Sequence, residues 1–517
     1  MTDDLNNIED SVAKVAFRDA LEILHSLEIK EPKTAPPFGF ERLSSRAQAT
    51  QPHMVSLKSP SKTGVAKENS VKYRHPLLTN SPTLREAATA LRKGEVTSRE
   101  LVENSIEAWH ETQDLGAVVE LDENLARKLA DAFDADMNLG VDRGPLHGIP
   151  VTVKDVIDVA SMSTCAGSLA YNDQPIRDAT SVARLRDAGA LMLAKVATHE
   201  FALGVTTPQC KNPFDPKRIS GGSSGGSAIA VSCGIGLASL GTDTRASLRV
   251  PSALCGVVGF KPTFGFVPTD GIVPLSWTVD HIGPITRTVS DASMMLSVLG
   301  GKPFIDIDAQ SDLLGDVSVG VISCAMDDAD SDVADVIESV FPIFSRLGYK
   351  IYDVDTMSSV DFDEANALGL IISRSEASTF HRSNRTDLAL CIPEVRDQLT
   401  AALDIRATDY LDAQRNRKFF AERILSLFDT YDVLVLPTVP MVAPPRDDYE
   451  RYLLRLSKNA IPWSLIGNPA VSVPCGLTNQ SLPVGLQFVV APGNEELLVR
   501  VGVAFEEQLR SLGGNGS

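Results

Sequence analysis

Long apolar runs and paired cysteines are both absent from this sequence. No stretch reaches the roughly 18 consecutive apolar residues typical of a transmembrane helix. The seven cysteines are scattered, with no Cys-x-x-Cys pair and no metal-ligand spacing. Residues 1–5 are acidic where a secretory signal would be basic and then apolar. We therefore expect a cytoplasmic protein that has no membrane partner, no bound metal and no cofactor.

Positive charge is also in short supply. The chain has 48 Lys and Arg against 67 Asp and Glu, a formal net charge of −19. Such a charge opposes general affinity for nucleic acid or anionic membranes, so we expect neither as a partner. The content of hydrophobic residues, 43%, and of charged residues, 22%, is ordinary for a globular protein.

What the sequence does contain is an alternation of helix and strand patterns. Apolar residues recur at helical spacing in residues 84–93, 99–112 and 123–136, and the second of these segments follows the capping pair Thr97-Ser98. Short apolar or β-branched runs occupy residues 150–153, 190–193 and 317–322. Residues 325–427 are mostly helical in pattern. The alternation predicts an α/β fold in which a parallel or mixed central sheet has helices on both faces.

The N-terminal part differs from the rest. Residues 9–30 show one apolar helical stripe, formed by Val12, Val15, Ala16, Ile23, Leu24 and Leu27. We expect it to pack on the body of its own chain or across a homodimer. Residues 31–83 are rich in Pro, Ser and Lys and suggest an extended strap. We therefore divide the chain into an N-terminal segment, 1–82, and a catalytic domain, 83–517.

Two loops of small polar residues stand out. Residues 221–227 read Gly-Gly-Ser-Ser-Gly-Gly-Ser, and residues 241–247 read Gly-Thr-Asp-Thr-Arg-Ala-Ser; we predict a buried helix over 228–240 between them. Such loops offer backbone amides to developing negative charge. Apolar runs at 228–231 and 257–260 argue against a flexible linker, and a phosphate loop would need a Gly-Lys pair that is missing here.

These loops resemble the amidase signature family of serine hydrolases. The family pattern continues from the first loop through Thr242-Asp243-Thr244 to Ser247-Leu248-Arg249, and a separate lysine segment matches residues 148–155. The likeness extends from about residue 83 to about residue 507. It implies the amidase-signature fold and an amidohydrolase that cleaves a carboxamide or related C–N bond of a small molecule.

The resemblance also implies roles for particular residues. Ser247 would be the nucleophile, Ser223 a bridging serine after a cis peptide bond, and Lys154 the general base. The oxyanion hole would be formed by the backbone N–H groups of Thr244, Arg245, Ala246 and Ser247. A lysine with the ordinary pKa of about 10.4 cannot accept a proton at neutral pH. Burial away from carboxylates must therefore depress the pKa of Lys154, and we expect the adjacent Asp155 to point away.

One departure from the family concerns Arg245 and Ala246, which replace the usual Gly-Gly. A positive φ at either position would be strained. We expect the side chain of Arg245 to pair with a carboxylate of Asp243, Asp270 or Asp280; the alternative is a substrate-binding role, as a clamp for an acceptor-rich or anionic group. We expect Asp243 and Arg249 to brace the loop.

Other functions remain open at this point. A Ser-His-Asp triad is disfavoured because no Gly-x-Ser-x-Gly elbow in a strand-to-helix setting accompanies the eight histidines, so we expect His147 and His199 to be structural. The same fold could serve a glutamine-dependent amidotransferase as its A-type subunit, which works with a partner. A catalytically silent binding homologue is suggested only by the Arg245-Ala246 replacement.

Overall fold

One large mixed β-sheet organises the protein. The computed structural model describes residues 12–27, 81–301 and 316–513. Eleven strands form the sheet in the order β1-β3-β2-β4-β6-β5-β10-β11-β9-β7-β8. Their bounds are β1 (Val118–Glu120), β2 (Pro150–Lys154), β3 (Leu191–Val196), β4 (Ala238–Asp243), β5 (Val258–Lys261), β6 (His281–Thr286), β7 (Ser318–Ile322), β8 (Lys350–Val354), β9 (Val433–Pro437), β10 (Ala470–Leu477) and β11 (Pro483–Val489).

Helices flank this sheet, which confirms the α/β prediction. They are α1 (Val12–Ser26), α2 (Leu84–Lys93), α3 (Ser98–Glu111), α4 (Glu123–Asn138), α5 (Thr180–Asp187), α6 (Gly225–Cys233), α7 (Arg249–Leu254), α8 (Val289–Leu299), α9 (Ser323–Asp327), α10 (Ser331–Arg346), α11 (Ser359–Ser383), α12 (Pro393–Ala401), α13 (Ala407–Leu425), α14 (Leu453–Ser457), α15 (Ile461–Leu465) and α16 (Glu495–Gly513). None of the described helices is long and apolar enough to cross a lipid bilayer.

Local sequence signals locate several helices well. The predicted segments 84–93 and 123–136 correspond to α2 and α4. Helix α3 begins with a capping box, in which the side chain of Thr97 accepts from the backbone of Glu100 and that of Glu100 accepts in return. The predicted helical region 325–427 is also confirmed, with strand β8 inserted between its helices.

The predicted helix over residues 228–240 is confirmed for residues 228–233 and wrong for the rest. Helix α6 ends at Cys233, where Gly234 takes a left-handed φ of 83°, and strand β4 begins at Ala238. A short run of small apolar residues suits a buried helix and a buried strand equally well, so its spacing does not separate the two. The glycine at position 234 is the local signal that ends the helix.

Strand pairing decides which residues meet at the edge of the sheet. Strand β2 runs parallel to β4, with Val153 opposite Leu240. Parallel strands end at the same edge, so Lys154 at the end of β2 lies close to the segment that follows Leu240. This edge gathers the lysine and both glycine- and serine-rich loops.

The N-terminal helix α1 packs on its own chain. Its apolar side chains Phe17, Ala20 and Leu24 are buried, and it contacts α11, α12 and α13. At its end, His25 Nε2 lies 3.2 Å from Asp409 Oδ1. The expected strap falls almost entirely outside the described residues, because 28–80 are not described.

Candidate active site

Lys154 and Ser223 are in direct contact. Lys154 is completely buried, and its Nζ lies 2.7 Å from Ser223 Oγ and 2.7 Å from Thr242 Oγ1. The peptide bond between Gly222 and Ser223 is cis. A Cβ on Gly222 would collide with the carbonyl oxygen of Thr206, so close packing of the loop requires glycine there.

The buried environment changes the proton affinity of Lys154. Burial lowers its pKa to about 7, and the negative charges of Asp243 and Asp280 only partly counteract this effect. A substantial fraction of the amine is therefore neutral near pH 7. A neutral amine in this position can donate to Thr242 and accept a proton from Ser223.

Asp155 points away from Lys154, as expected. Its Oδ1 lies 3.2 Å from Nζ of Lys195, and both side chains are buried. Backbone N–H groups of Cys165 and Gly167 donate to the same carboxylate. Lys195, which no sequence motif singles out, thus neutralises the charge nearest to Lys154 in the chain.

Ser247 is the member of the trio that reaches the cavity. The backbone N–H of Ser224 donates to the carbonyl oxygen of Ser247 at 3.3 Å, which holds the two loops side by side. Ser247 is 7% exposed and lines a cavity of about 590 Å³, whereas Ser223 and Lys154 are fully buried behind it. Of the three, Ser247 therefore faces the cavity, whereas Ser223 and Lys154 do not line it.

The second loop presents backbone donors without intramolecular acceptors. In the part of the chain that the structure describes, no hydrogen bond is formed by the backbone N–H groups of Thr244, Arg245, Ala246 and Ser247. Neither Arg245 nor Ala246 has a positive φ, so the replacement of the usual Gly-Gly causes no strain of that kind. These donors remain available to an oxyanion.

A buried ion pair braces this loop, in agreement with the sequence prediction. Arg249 donates to both carboxylate oxygens of Asp243, at 3.0 and 3.1 Å, and also to the carbonyl oxygen of Arg245. Burial alone would raise the pKa of Asp243, but the charge of Arg249 and its hydrogen bonds outweigh burial and bring the pKa to about 2. The pair therefore stays ionised and fixes the turn before Ser247.

Asp280 supports the same loop from the other side. It accepts from Thr244 Oγ1 at 2.6 Å and from the backbone N–H groups of Leu275 and Ser276. Burial raises the pKa of Asp280 to about 7, against the opposing effect of these hydrogen bonds. Thr244 is thereby anchored through its side chain, and its backbone N–H forms no hydrogen bond among the described residues.

The expected ion pair of Arg245 is wrong. Its Nη2 donates to the amide oxygen of Asn366 on α11, and none of Asp243, Asp270 or Asp280 pairs with it. Asp243 is already engaged by Arg249. Because Asn366 is 121 positions away in the chain, no local pattern could have indicated this partner.

The cavity receives residues from distant parts of the chain. Besides the loop residues Arg245 to Ser247, its lining includes the α11 residue Arg374, the α12 residue Gln398, and α1 residues. The α1 contribution is Val15, Ala16, Phe17 and Asp19. The apolar stripe of α1 predicts a helix, but nothing in that pattern places the helix at the site.

Three further residues in or beside the motif segments are His147, Ser224 and Ser227. His147 bonds to the backbone of Arg143 and Phe133, as expected of a structural residue. Ser224 braces its loop by donating to the carbonyl oxygen of Thr242, but Ser227 Oγ has no partner among the described residues.

In those same residues, no group of three or more His, Cys, Asp or Glu side chains could hold a metal ion.

Comparison with known proteins gives a consistent answer. A family model described as Amidase matches residues 100–499. An amidase of Pseudomonas putida is 35% identical over 450 residues, covering 82% of this chain and 95% of that protein. The A-type subunit of glutamyl-tRNA(Gln) amidotransferase from Roseiflexus sp. (strain RS-1) is 34% identical over 472 residues, covering 82% and 96% respectively.

Solved structures agree with these sequence relatives. The crystal structure of an amidase superposes with a TM-score of 0.76 at 35% identity, covering 83% of this chain and 100% of that one. The native peptide amidase of Stenotrophomonas maltophilia superposes with a TM-score of 0.72 at 27% identity, covering 84% and 98%.

Proposed function

Because this chain belongs to the amidase signature family and is an amidase-type hydrolase, we propose that it hydrolyses a linear carboxamide through an acyl-enzyme on Ser247. The observation that carries this proposal is the 2.7 Å contact between Lys154 Nζ and Ser223 Oγ; the next residue, Ser224, donates its backbone N–H to the carbonyl oxygen of Ser247, which lines the cavity. A buried lysine with a pKa near 7 suits a general base at neutral pH.

The three residues would act as one proton path. Neutral Lys154 takes the proton of Ser223, which takes the proton of Ser247 as that oxygen attacks the carbonyl carbon. The proton then returns through Ser223 to the leaving nitrogen, so the amine departs neutral. A hydroxyl can both donate and accept, which is what the bridging position requires. Water then attacks the acyl-enzyme, its proton passes through the same path to the oxygen of Ser247, and the acid is released.

The oxyanion would be held by the loop before the nucleophile. The backbone N–H groups of Thr244 to Ser247 have no internal acceptors in the described residues, and Arg249 and Asp280 hold the loop that carries them. Donors fixed in this way need little reorganisation when negative charge develops on the carbonyl oxygen. Removal of one such donor typically slows turnover by roughly 10²–10³-fold.

The test is covalent trapping on a defined serine. A fluorophosphonate should label the wild-type protein on the peptide that contains Ser247, and Ser247→Ala should abolish both the label and ammonia release from simple primary amides. Ser227→Ala is the matched control, because Ser227 lies in the first turn of helix α6 and its hydroxyl has no partner among the described residues. Labelling that persists in Ser247→Ala would refute the proposed nucleophile.

An amidotransferase role is the second candidate. It is favoured by the relatives named as A-type subunits of glutamyl-tRNA(Gln) amidotransferase, of which the chain covers 96% in the Roseiflexus protein. In that case the chain would release ammonia from glutamine for a partner. Efficient hydrolysis of simple amides by the isolated chain speaks for the amidase; a glutaminase activity that needs a co-purified partner protein speaks for the amidotransferase.

We also propose a cytoplasmic location. All seven cysteines are free, and their sequence positions show no disulfide framework. Cell fractionation with a cytoplasmic marker enzyme tests this, and recovery of the protein in an extracytoplasmic fraction would contradict it.

A further inference from the structure

Two arginines lie on the cavity wall together with Ser247. Arg245 precedes the serine by two positions, and Arg374 belongs to helix α11. Arg374 is only 5% exposed. Guanidinium groups at this depth normally have a carboxylate partner, because an unbalanced buried charge is destabilising.

Neither of these guanidinium groups has such a partner among the described residues. Arg245 donates to the amide oxygen of Asn366, and its Nε is buried without an acceptor there. Arg374 Nε donates to Gln398 Oε1 at 2.7 Å, and its Nη1 donates to Ser373 Oγ at 3.3 Å. Amide and hydroxyl oxygens satisfy hydrogen bonds but carry no neutralising charge.

The two positive charges also act on each other. Burial and the positive charge of Arg245, opposed in part by the negative charge of Glu394, together lower the pKa of Arg374 to about 9. Burial lowers the pKa of Arg245 to about 10. Both groups remain cations at neutral pH, so an anion bound between them would relieve two desolvated charges at once.

The acidic residues of the cavity are committed elsewhere or exposed. Glu394 Oε2 lies 3.5 Å from His199 Nε2, and Asp397 lies 3.7 Å from Arg396. The α1 residue Asp19 and Glu450 are exposed to solvent. Across the described chain, no carboxylate approaches Arg245 or Arg374 to within ion-pair distance. The wall beside Ser247 is therefore positive, although the cavity as a whole is lined by both signs.

We propose that Arg245 and Arg374 form an anion subsite for a carboxylate carried by the substrate, an inference that rests on the amide hydrolysis proposed above. The substrate class is then small amides that bear a carboxylate near the scissile bond, such as monoamides of dicarboxylic acids. Water adds across the C–N bond, the carbonyl carbon gains the second carboxyl oxygen, and ammonia leaves. The planar guanidinium fork suits two-point recognition of a carboxylate.

The competing account makes both arginines internal braces. Through Asn366 and Gln398 they would tie the loop to α11 and α11 to α12. A brace affects all substrates alike, whereas an anion subsite affects only substrates with the charge. The ratio of kcat/KM for a charged amide to kcat/KM for a neutral one separates the two accounts.

The experiment uses the monoamide and the diamide of malonic, succinic and glutaric acid as matched pairs. We expect the full-length wild-type protein to prefer the monoamide of at least one pair by roughly tenfold or more. In Arg374→Gln this preference should fall by roughly tenfold, mainly through a higher KM for the monoamide, because one of the two guanidinium groups that bind the carboxylate is lost. Arg374→Lys should restore part of it.

Arg451→Gln is the matched control, since Arg451 also lines the cavity but is exposed and lies 3.2 Å from Asp448. Its preference should stay near that of the wild type. Equal or better hydrolysis of all three diamides by the wild type would overturn the anion subsite while leaving amide hydrolysis intact. An equal fall in Arg451→Gln would also overturn it, because general electrostatics would then explain the preference. Hydrolysis of neither member of any pair, together with no serine labelling, would instead refute the proposed function itself.

Discussion

Asp155 and Lys195 form a buried ion pair, with 3.2 Å between Oδ1 and Nζ, although Asp155 directly follows the lysine that contacts Ser223. Successive strand residues point to opposite faces, and Asp155 comes immediately after the last residue of β2. The pair therefore removes a negative charge from the surroundings of Lys154. In the proposed mechanism, this geometry would permit a lysine followed by an aspartate to serve as a base.

The Asp155–Lys195 pair gives a stability prediction. Asp155→Asn leaves the buried cation of Lys195 without its counter-charge and should cost roughly 3–5 kcal/mol of unfolding free energy. Urea denaturation measures this. The double variant Asp155→Asn/Lys195→Met should recover much of the loss, and the pH dependence of kcat/KM should keep its midpoint in both. A large shift of that midpoint would mean that Asp155 acts on Lys154 after all.

The pH dependence of turnover should follow the ionisation of Lys154. Burial lowers its pKa to about 7, and the proposed base is the neutral amine, so kcat/KM on a primary amide should rise with pH through a midpoint near 7. Activity is lost as pH falls, because the amine becomes protonated. Lys154→Arg, which keeps the charge at every accessible pH, should be inactive throughout. A wild-type profile that is flat between about pH 5 and about pH 9 would contradict the assignment.

The same depressed pKa predicts how stability varies with pH. In the folded protein Lys154 has a pKa of about 7, below its ordinary value of 10.5, so the unfolded chain binds more protons between these values. The contribution of Lys154 to unfolding free energy therefore rises with pH across that window. Relative to Lys154→Met, the wild type should gain roughly 3 kcal/mol between about pH 6.5 and about pH 9.5. Denaturant titrations of both proteins at the two pH values measure it, and a constant difference would show that the pKa is not depressed.

Helix α1 should affect the cavity more than the global fold. Phe17→Ala and Leu24→Ala each remove a buried side chain, a change that typically costs roughly 2–5 kcal/mol in a core. Because α1 packs on the surface of α11 to α13, we expect the loss to appear as faster hydrogen exchange within α1 and a higher KM, with global unfolding little changed. Glu22→Ala is the control, since Glu22 lies on the exposed face. Unchanged exchange in Phe17→Ala would argue against the packed position.

Sequence patterns predict much of the site because its residues lie in short motifs. Lys154, Ser223 and Ser247 are named from three segments through the resemblance to the amidase signature family, and the Asp243–Arg249 brace is predicted from the positions of these two residues on either side of Ser247. The chemistry of a general base is enough to predict that Lys154 is buried, because burial would lower the pKa of a lysine sufficiently. These inferences depend on motif identity and side-chain chemistry, which a single sequence does contain.

Other features depend on long-range packing and could not be predicted. The partner of Arg245 is Asn366, and a second positive charge on the cavity wall, Arg374, comes from the same distant helix. The first residues of strand β4 fall within the predicted helix, because a run of small apolar residues has no decisive period. For the two arginines the deciding contacts join segments that are far apart in the sequence, whereas the end of helix α6 has a local signal in Gly234.

The position of α1 couples ligand binding to a second equilibrium, the docking of this helix on the rest of the protein. The cavity is lined by the α1 residues Val15, Ala16, Phe17 and Asp19. Phe17 is also one of the buried side chains through which α1 packs on the rest of the protein. Thermodynamic reciprocity then applies: if the docked helix tightens binding of a substrate by some factor, that substrate must tighten docking of the helix by the same factor. Binding of a substrate in the cavity would thus be measurable as slower hydrogen exchange in α1, a helix that lies more than 200 positions before Ser247 in the chain.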